Sequence, residues 1–337
     1  MSVVGTPLRQ YLLEKRVPFE CDFELTHDCN QSCVHCFLEC PHPGTHADPE
    51  MVVDAMEQLA AMGCVRVGFT GGEPLLHPEF WSVLGKARSL GFAVDVTSNG
   101  QLVDGEAVQR LSDLRVKKVR LSLLGADPET HDSVTQRHGS FASALRAIGL
   151  LVEGDIPCEF ACTVLPANRG QTASMEALAA RLGVSIMFDW HASSSLSGRF
   201  AGVSRARGEA QQSPAVASTG DTSIRSRTGS CPAGISLLAI APRGDVMPCV
   251  MMRRRVGNAN EGVRAAWHRS IDLCTLGTSE FGVAQTVQDE VARTHAWGAD
   301  AASGRQSRNA DGELVCARWR DSRVGNGQHI LGREERR

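Results

Sequence analysis

The 337-residue chain has no apolar run approaching the roughly 18 residues that a membrane span needs, so no membrane partner is expected. The stretch Met1 to Arg16 lacks an apolar segment followed by a small-residue cleavage site, which leaves the cytoplasm as the expected compartment. Neither charge dominates: 35 Lys+Arg against 38 Asp+Glu give a net −3, which excludes a global attraction to nucleic acid or anionic lipid. Lysine is missing altogether after Lys118. Every later basic residue is Arg, and the balance shifts along the chain. Residues 1–198 carry 15 basic and 24 acidic side chains, a balance of −9; residues 199–337 carry 20 and 14, or +6. A solvated basic face and a surface for an acidic peptide both fit that shift.

What the chain does have is cysteine. Twelve are many for a chain with no export signal, and in a reducing compartment they are more often metal or redox ligands than disulfides. They are clustered: Cys21, Cys29, Cys33, Cys36 and Cys40 fall within twenty residues, and Cys231 and Cys249 form a later pair. Cys21, Cys40, Cys64, Cys158 and Cys162 read as small buried apolar residues.

With 42% hydrophobic residues the chain can build one large α/β domain and a smaller one. Between residues 19 and 190 β-like runs alternate with helical ones. Strands are expected at Phe19–Thr26, Val65–Thr70, Ala93–Ser98, Lys118–Leu124, Pro157–Leu165 and Val184–Trp190. Helices are expected near 49–62, 79–90, 105–113, 141–153 and 171–182, with Gly63, Gly91, Gly154 and Gly183 placed to cap them. Such alternation implies right-handed crossovers and a parallel sheet, either a closed or partly closed barrel or an open doubly wound sheet. Chemistry is expected at the C-terminal strand ends. There the cysteine cluster, Gly71-Gly72-Glu73-Pro74, Thr97-Ser98-Asn99-Gly100, Ser122, Asp189 and His191 collect.

Cys29, Cys33 and Cys36 are spaced by three residues, then two. A structural zinc site wants four ligands, and a redox pair needs only Cys-x-x-Cys. Three close thiolates suit a [4Fe–4S] cluster with one iron left open, with a zinc or inert thiol cluster as the plainer alternative. The run Cys29-Asn30-Gln31-Ser32-Cys33-Val34-His35-Cys36, followed by Gly71-Gly72-Glu73-Pro74 after the next strand, resembles the radical S-adenosylmethionine (radical SAM) family.

The resemblance spans roughly residues 19–260. It implies an α/β fold, a partial (βα)6 TIM barrel with a small C-terminal twitch/SPASM-like extension. It implies a cluster on Cys29, Cys33 and Cys36 that binds S-adenosylmethionine and cleaves it reductively. The resulting 5′-deoxyadenosyl radical abstracts a substrate hydrogen, and an electron donor such as flavodoxin or ferredoxin is needed. It further implies that Gly71 and Gly72 allow close backbone approach, that Glu73 accepts from the methionine ammonium, and that Pro74 fixes the turn. His35 is expected near the adenine, with Ser98, Asn99 and Ser122 toward ribose and carboxylate and Arg137 as a carboxylate partner. Turn or capping roles are the alternative for these last four.

Cys231, then Gly244-Asp245-Val246-Met247-Pro248-Cys249 and Gly257-Asn258, resembles the opening of a SPASM or twitch extension, as found in PqqE-like peptide maturases. The dense cysteine run that completes a SPASM domain is missing. Only Cys274 and Cys316 follow, so Cys231, Cys249, Cys274 and Cys316 could hold one auxiliary [4Fe–4S] cluster but not two. The expected organisation is an N-terminal extension (1–18), a barrel (19–190), a flexible linker or loop (191–230), an auxiliary-cluster region (231–274) and an atypical, partly disordered tail (275–337). Either a degenerate extension or a reading frame shifted after about residue 265 accounts for that tail. The expected activity is hydrogen abstraction from a peptide, with or without a leader, leading to a cross-link, epimerisation or oxidation. A small-molecule oxidoreductase and an inactive Fe–S scaffold are the alternatives.

Overall fold

The computed structural model describes residues 11, 12, 14–38, 41–189 and 233–280, with side chains through residue 272. The expected linker and nearly all of the expected tail lie outside the described residues, as do Cys40, His191, Cys231 and Cys316. Six strands follow in order: β1 (Glu20–Thr26), β2 (Arg66–Gly71), β3 (Ala93–Ser98), β4 (Lys118–Ser122), β5 (Cys158–Thr163) and β6 (Ser185–Asp189). Each pairs in parallel with the next, and β6 does not return to β1, so the barrel is partial.

The helices α1 (Pro49–Ala61), α2 (Phe80–Ser89), α3 (Gly105–Asp113), α4 (Pro128–Thr135), α5 (Ser140–Glu153) and α6 (Thr172–Arg181) lie between the strands. Local chemistry starts three of them in the same way. The side chains of Asp48, Asp104 and Asp127 accept from Glu50, Ala107 and Thr130 N–H groups, satisfying donors that a helix start leaves orphaned. Pro49 and Pro128 stand at the first turn, where a missing N–H costs nothing. On α1, Met51, Val52, Ala55, Met56 and Leu59 face the sheet and enter one apolar core with Phe23, Leu25, Val67, Phe69, Val94 and Val96.

The other face of the strands is charged. Strand alternation sends Asp22 and Glu24 of β1 inward while Phe23 and Leu25 join the helix layer. On that inner face Arg66 meets Asp95 at 3.4 Å, and Glu159 receives Arg120 at 2.6 Å and Lys118 at 3.2 Å. These pairs come from four different strands and close the barrel floor with matched charge, which limits the cost of burying each ion.

Two arrangements differ from the expectation. Helix α4 was not foreseen between the fourth strand and the helix that follows it. The second is the segment 233–272, which continues the barrel's own sheet and core. Its strand β7 (Leu237–Ile240) pairs in parallel with the free side of β1, with Glu20 opposite Leu237. Strands β8 (Asp245–Met247) and β9 (Gly257–Asn258) extend the same sheet antiparallel, giving the order β6-β5-β4-β3-β2-β1-β7-β8-β9. Helix α7 (Val263–Glu280) then packs on α1: fully buried Trp267 donates its indole N–H to the Arg16 carbonyl at 2.8 Å, and the Val263 N–H donates to Gln58 at 2.8 Å. Leu238, Ile240, Val246, Val263 and Trp267 belong to the same apolar core as β1 and α1. No helix among the described residues is long and apolar enough to cross a membrane.

Candidate functional site

The β1–β2 register slips between Glu24 and Thr26, and the cysteine loop leaves the sheet there. Thr26 Oγ1 accepts from the Asp28 N–H at 2.8 Å, and Asp28 Oδ1 accepts from the Cys29 N–H at 2.8 Å. Farther along, the loop hangs on the end of α4. The Ser32 N–H donates to Thr135 O at 3.2 Å and the Val34 N–H to Val134 O at 2.9 Å, using carbonyls that a helix C-terminus leaves free. This anchor was invisible to the motif. Its signal was the Asp127-Pro128 helix start, with Glu129 in the first turn.

Cys29, Cys33 and Cys36 are all half-buried. Burial pushes the Cys29 thiol up to about 11, and burial together with the neighbouring Cys29 and Cys36 pushes Cys33 up to about 12. The three thiols are therefore close enough to oppose one another's ionisation. A bound cation that takes thiolates would release their protons. Among the described residues no three His, Cys, Asp or Glu side chains are placed to hold a single metal ion. Three thiols at separate points of one loop suit a multi-iron cluster, whose thiolates bind different irons. Within the same loop Gln31 Nε2 and His35 Nδ1 are buried without a partner. Burial lowers His35 to about 4, so its ring is neutral at pH 7.

The glycine motif lies directly against this loop. Gly72 N–H donates to Thr26 O at 2.7 Å and Glu73 N–H to Asp28 O at 2.8 Å. Gly71 has φ +130, a conformation side chains rarely adopt, and a Cβ there would overlap the Thr26 carbonyl oxygen. A Cβ on Gly72 would overlap the Asp28 carbonyl oxygen. Only two residues without side chains let β2 cross so close to the first cysteine.

Glu73 is completely buried at the end of β2. Its Oε1 accepts from Ser98 Oγ at 2.9 Å and from the Leu75 N–H at 3.3 Å, and its Oε2 accepts from the Asn99 N–H at 2.8 Å. Burial outweighs these bonds and pushes the carboxyl up to about 7. Pro74 is buried and opens the short turn Pro74–Leu76 that Glu73 caps. Asn99 ties this carboxylate to the cysteine loop: its amide donates to Asn30 Oδ1 at 2.7 Å and to Cys29 Sγ at 3.7 Å. Ser98 and Asn99 thus stand beside Glu73 and Cys29, and Ser122 ends β4 on the same rim, half-buried. Arg137 is placed differently from the rest. It is exposed and donates to the Asn30 backbone carbonyl at 3.2 Å, bracing the loop from outside.

Of the four cysteines considered for an auxiliary cluster, Cys249 is described with its surroundings, its sulfur accepting from the Met252 N–H at 3.2 Å. Cys274 lies in α7 beyond the described side chains. Elsewhere Cys21, Cys64 and Cys162 are buried in the core, and Cys158 is half-buried.

Comparison with known proteins agrees with this geometry. The Radical SAM superfamily matches residues 23–181. The sporulation killing factor maturation protein SkfB of Bacillus subtilis is 32% identical over 176 residues, 52% of this chain and 42% of that protein. The mycofactocin maturase MftC of Mycobacterium ulcerans is 33% identical over 167 residues, 49% of this chain and 45% of that one. The subtilosin biosynthesis protein AlbA of Bacillus subtilis is 28% identical over 260 residues, 72% of this chain and 57% of that one. The chain thus spans about half the length of the curated relatives it matches. Among solved structures, Streptococcus suis SuiB bound to S-adenosylmethionine shares the fold with a TM-score of 0.55 at 14% identity, over 77% of this chain and 68% of that one. Fold, cysteine spacing and family match coincide: residues 23–181 of this chain form a radical SAM domain, on the partial barrel of that superfamily.

Proposed function

We propose that the chain is a radical SAM enzyme that acts on a peptide substrate. The observation that carries the reading is the contact of two loops, Thr26–Cys36 and Gly71–Glu73, pressed together by backbone hydrogen bonds and joined through Asn99. Cys29, Cys33 and Cys36 would hold a [4Fe–4S] cluster. With S-adenosylmethionine bound, that centre supplies a 5′-deoxyadenosyl radical able to take a hydrogen atom from carbon.

The chain's own residues prepare the site. Gly71 and Gly72 let the backbone of the glycine motif pack directly on Thr26 and Asp28, at the start of the cysteine loop. Glu73 sits near half-ionisation at neutral pH, so an arriving ammonium would stabilise its carboxylate and release a proton. Ser98 and Asn99 hold that carboxylate in one orientation. The neutral ring of His35 and the amide of Gln31 offer the loop's unpaired polar atoms to a guest.

A peptide substrate is supported by the relatives: SkfB and MftC are named as maturation enzymes, and SuiB has been solved bound to the precursor peptide SuiA. The +6 balance of residues 199–337 suits an acidic leader. Cys249, together with Cys231, Cys274 and Cys316, is the candidate set for one auxiliary cluster, and a flavodoxin or ferredoxin is the candidate electron donor.

Iron and labile sulfide per chain after anaerobic reconstitution test the reading, for wild type and for a variant with Cys29, Cys33 and Cys36 all changed to Ala. About four irons falling to none means a single cluster, and about eight falling to about four means an auxiliary one. Zinc instead of iron, or no 5′-deoxyadenosine from the reduced protein, refutes it.

A further inference from the structure

Residues 248–256 lie outside the cysteine loop and the glycine motif, yet they reach β1 and Phe37 at the end of the cysteine loop. They connect β8 to β9. Val250 packs on Ala239, Ala241 and Met247, a small apolar patch separate from the main core that holds Leu238, Ile240 and Val246. Alternation along β7 puts those two groups on opposite faces, so this connection folds over the inner face of the sheet, beside Asp22 and Glu24 of β1.

From there Arg253 spans to β1. Its Nη1 donates to Glu24 Oε1 at 2.5 Å and its Nη2 to Glu24 Oε2 at 3.0 Å, a two-pronged pair between residues far apart in sequence. Nη1 also donates to the Val250 carbonyl at 3.3 Å, which folds the connection back toward Cys249. The guanidinium carbon lies 5.5 Å from the centre of the Phe37 ring, in cation–π range. Phe37 directly follows Cys36. Glu24 is 1% exposed, and its remaining lone pairs take His27 Nε2 at 2.9 Å. Burial pushes the Glu24 carboxyl up, but the bonds from His27 and Arg253 prevail and hold it below its ordinary value. His27 in turn carries the returning segment on its backbone, donating to Thr45 O and accepting from the His42 N–H, each at 2.9 Å.

We infer that Arg253 is a positioning residue for the cysteine loop: it lashes the Cys249-bearing connection to the inner face of β1 and presses on Phe37, so the two cysteine-bearing segments fix each other. A flat, forked cation is required, because it must bind both Glu24 oxygens and present a face to the ring at once. Lysine can do only one of these. The inference rests on the proposed function, in which that loop carries the cluster.

The test uses the reconstituted full chain with Arg253→Lys, Glu24→Gln and Phe37→Leu, and follows the electron paramagnetic resonance of the reduced cluster as S-adenosylmethionine is added. Iron content and thermal midpoint are read alongside. Expected is wild-type iron content with S-adenosylmethionine binding weakened by about tenfold in Arg253→Lys, the scale of one lost charge-assisted contact. Phe37→Leu should weaken it less, and the Arg253→Lys/Phe37→Leu pair should be less than additive. A wild-type titration in Arg253→Lys with only a lowered midpoint would overturn the inference. Should both charge variants fail to fold, Phe37→Leu decides, because it leaves the Glu24–Arg253 pair in place: an unchanged titration there overturns it. A wild type that takes no iron, or whose signal ignores S-adenosylmethionine, fails the proposed function itself.

Discussion

Glu73→Gln separates what the buried carboxylate costs the fold from what it does for a ligand. The rise of this group from 4.5 to about 7 corresponds to roughly 3 kcal/mol between its two protonation states. Between those two values the folded protein keeps a proton that the unfolded chain has lost. Its contribution to stability therefore falls as pH rises through that window and is level above it. An amide has no such dependence, but it brings a different cost. If its NH2 replaces Oε2 it faces the Asn99 N–H, and if it replaces Oε1 it faces the Leu75 N–H. Either way one buried donor is left unpaired, at about 1–3 kcal/mol. The cluster-free variant should thus be about 1–3 kcal/mol less stable than wild type near pH 4.5. Near pH 7.5 it should be equal or up to about 2 kcal/mol more stable, a crossing set by the same two terms. Urea denaturation of both reduced apoproteins across this range measures the difference directly. Two curves that stay parallel from pH 4.5 to 7.5 would refute the reasoning. In the reconstituted protein the same variant should lose its response to S-adenosylmethionine.

Gly72→Ala should leave the barrel folded, with far-ultraviolet circular dichroism unchanged, while lowering iron uptake, because the new methyl group collides with the Asp28 carbonyl beside Cys29; its cost is about 1–3 kcal/mol by urea titration. Asp132→Ala removes the acceptor of the Gly139 N–H (2.6 Å), Ser140 Oγ (2.8 Å) and Phe141 N–H (2.9 Å), and should cost about 1–3 kcal/mol. Burial raises the Asp132 carboxyl, but those bonds prevail and lower it, so its share of stability is present above 3.8 and is lost as pH falls through its depressed value; the alanine variant should lack that acid-side loss. Trp267→Ala should destabilise the whole chain by about 3–5 kcal/mol in one cooperative transition, because α7 shares the core of β1 and α1; a separate early transition for the C-terminal segment would contradict that.

The parts of the site that were legible in the sequence are those whose chemistry is local. Three cysteines within eight residues, and two glycines before a glutamate, state their requirement in adjacent positions. Strand and helix bounds came within a few residues because helix-ending glycines and β-branched runs mark them. Helix α4 escaped because it is short and polar, with His131 and Thr135 among its buried positions instead of an apolar stripe. Leu237–Ile240 could not be placed from sequence, since all four residues are buried and no alternation names a face or a neighbour. The inner-face charges Arg66, Asp95, Lys118, Arg120 and Glu159 look like solvated residues one by one; only the register of four strands makes pairs of them. Arg137, which the motif points toward a ligand carboxylate, also donates to the loop backbone, a contact set by the fold and not by its neighbours in sequence.

The position of β7 has a consequence for synthesis and folding. Strand β1 is among the first elements to leave the ribosome, yet it sits inside the sheet with neighbours on both sides. Glu20 finds its first partner at Arg66 and its second only at Leu237. Until some 240 residues have been made, a strand carrying Cys21, Phe23 and Leu25 keeps one row of backbone donors and acceptors open. Such an edge invites pairing with another chain, and closing so long a loop slows the final step. Chains cut short before β7 should therefore aggregate through β1, and the cysteine loop that begins at Thr26 is completed last although it is synthesised first.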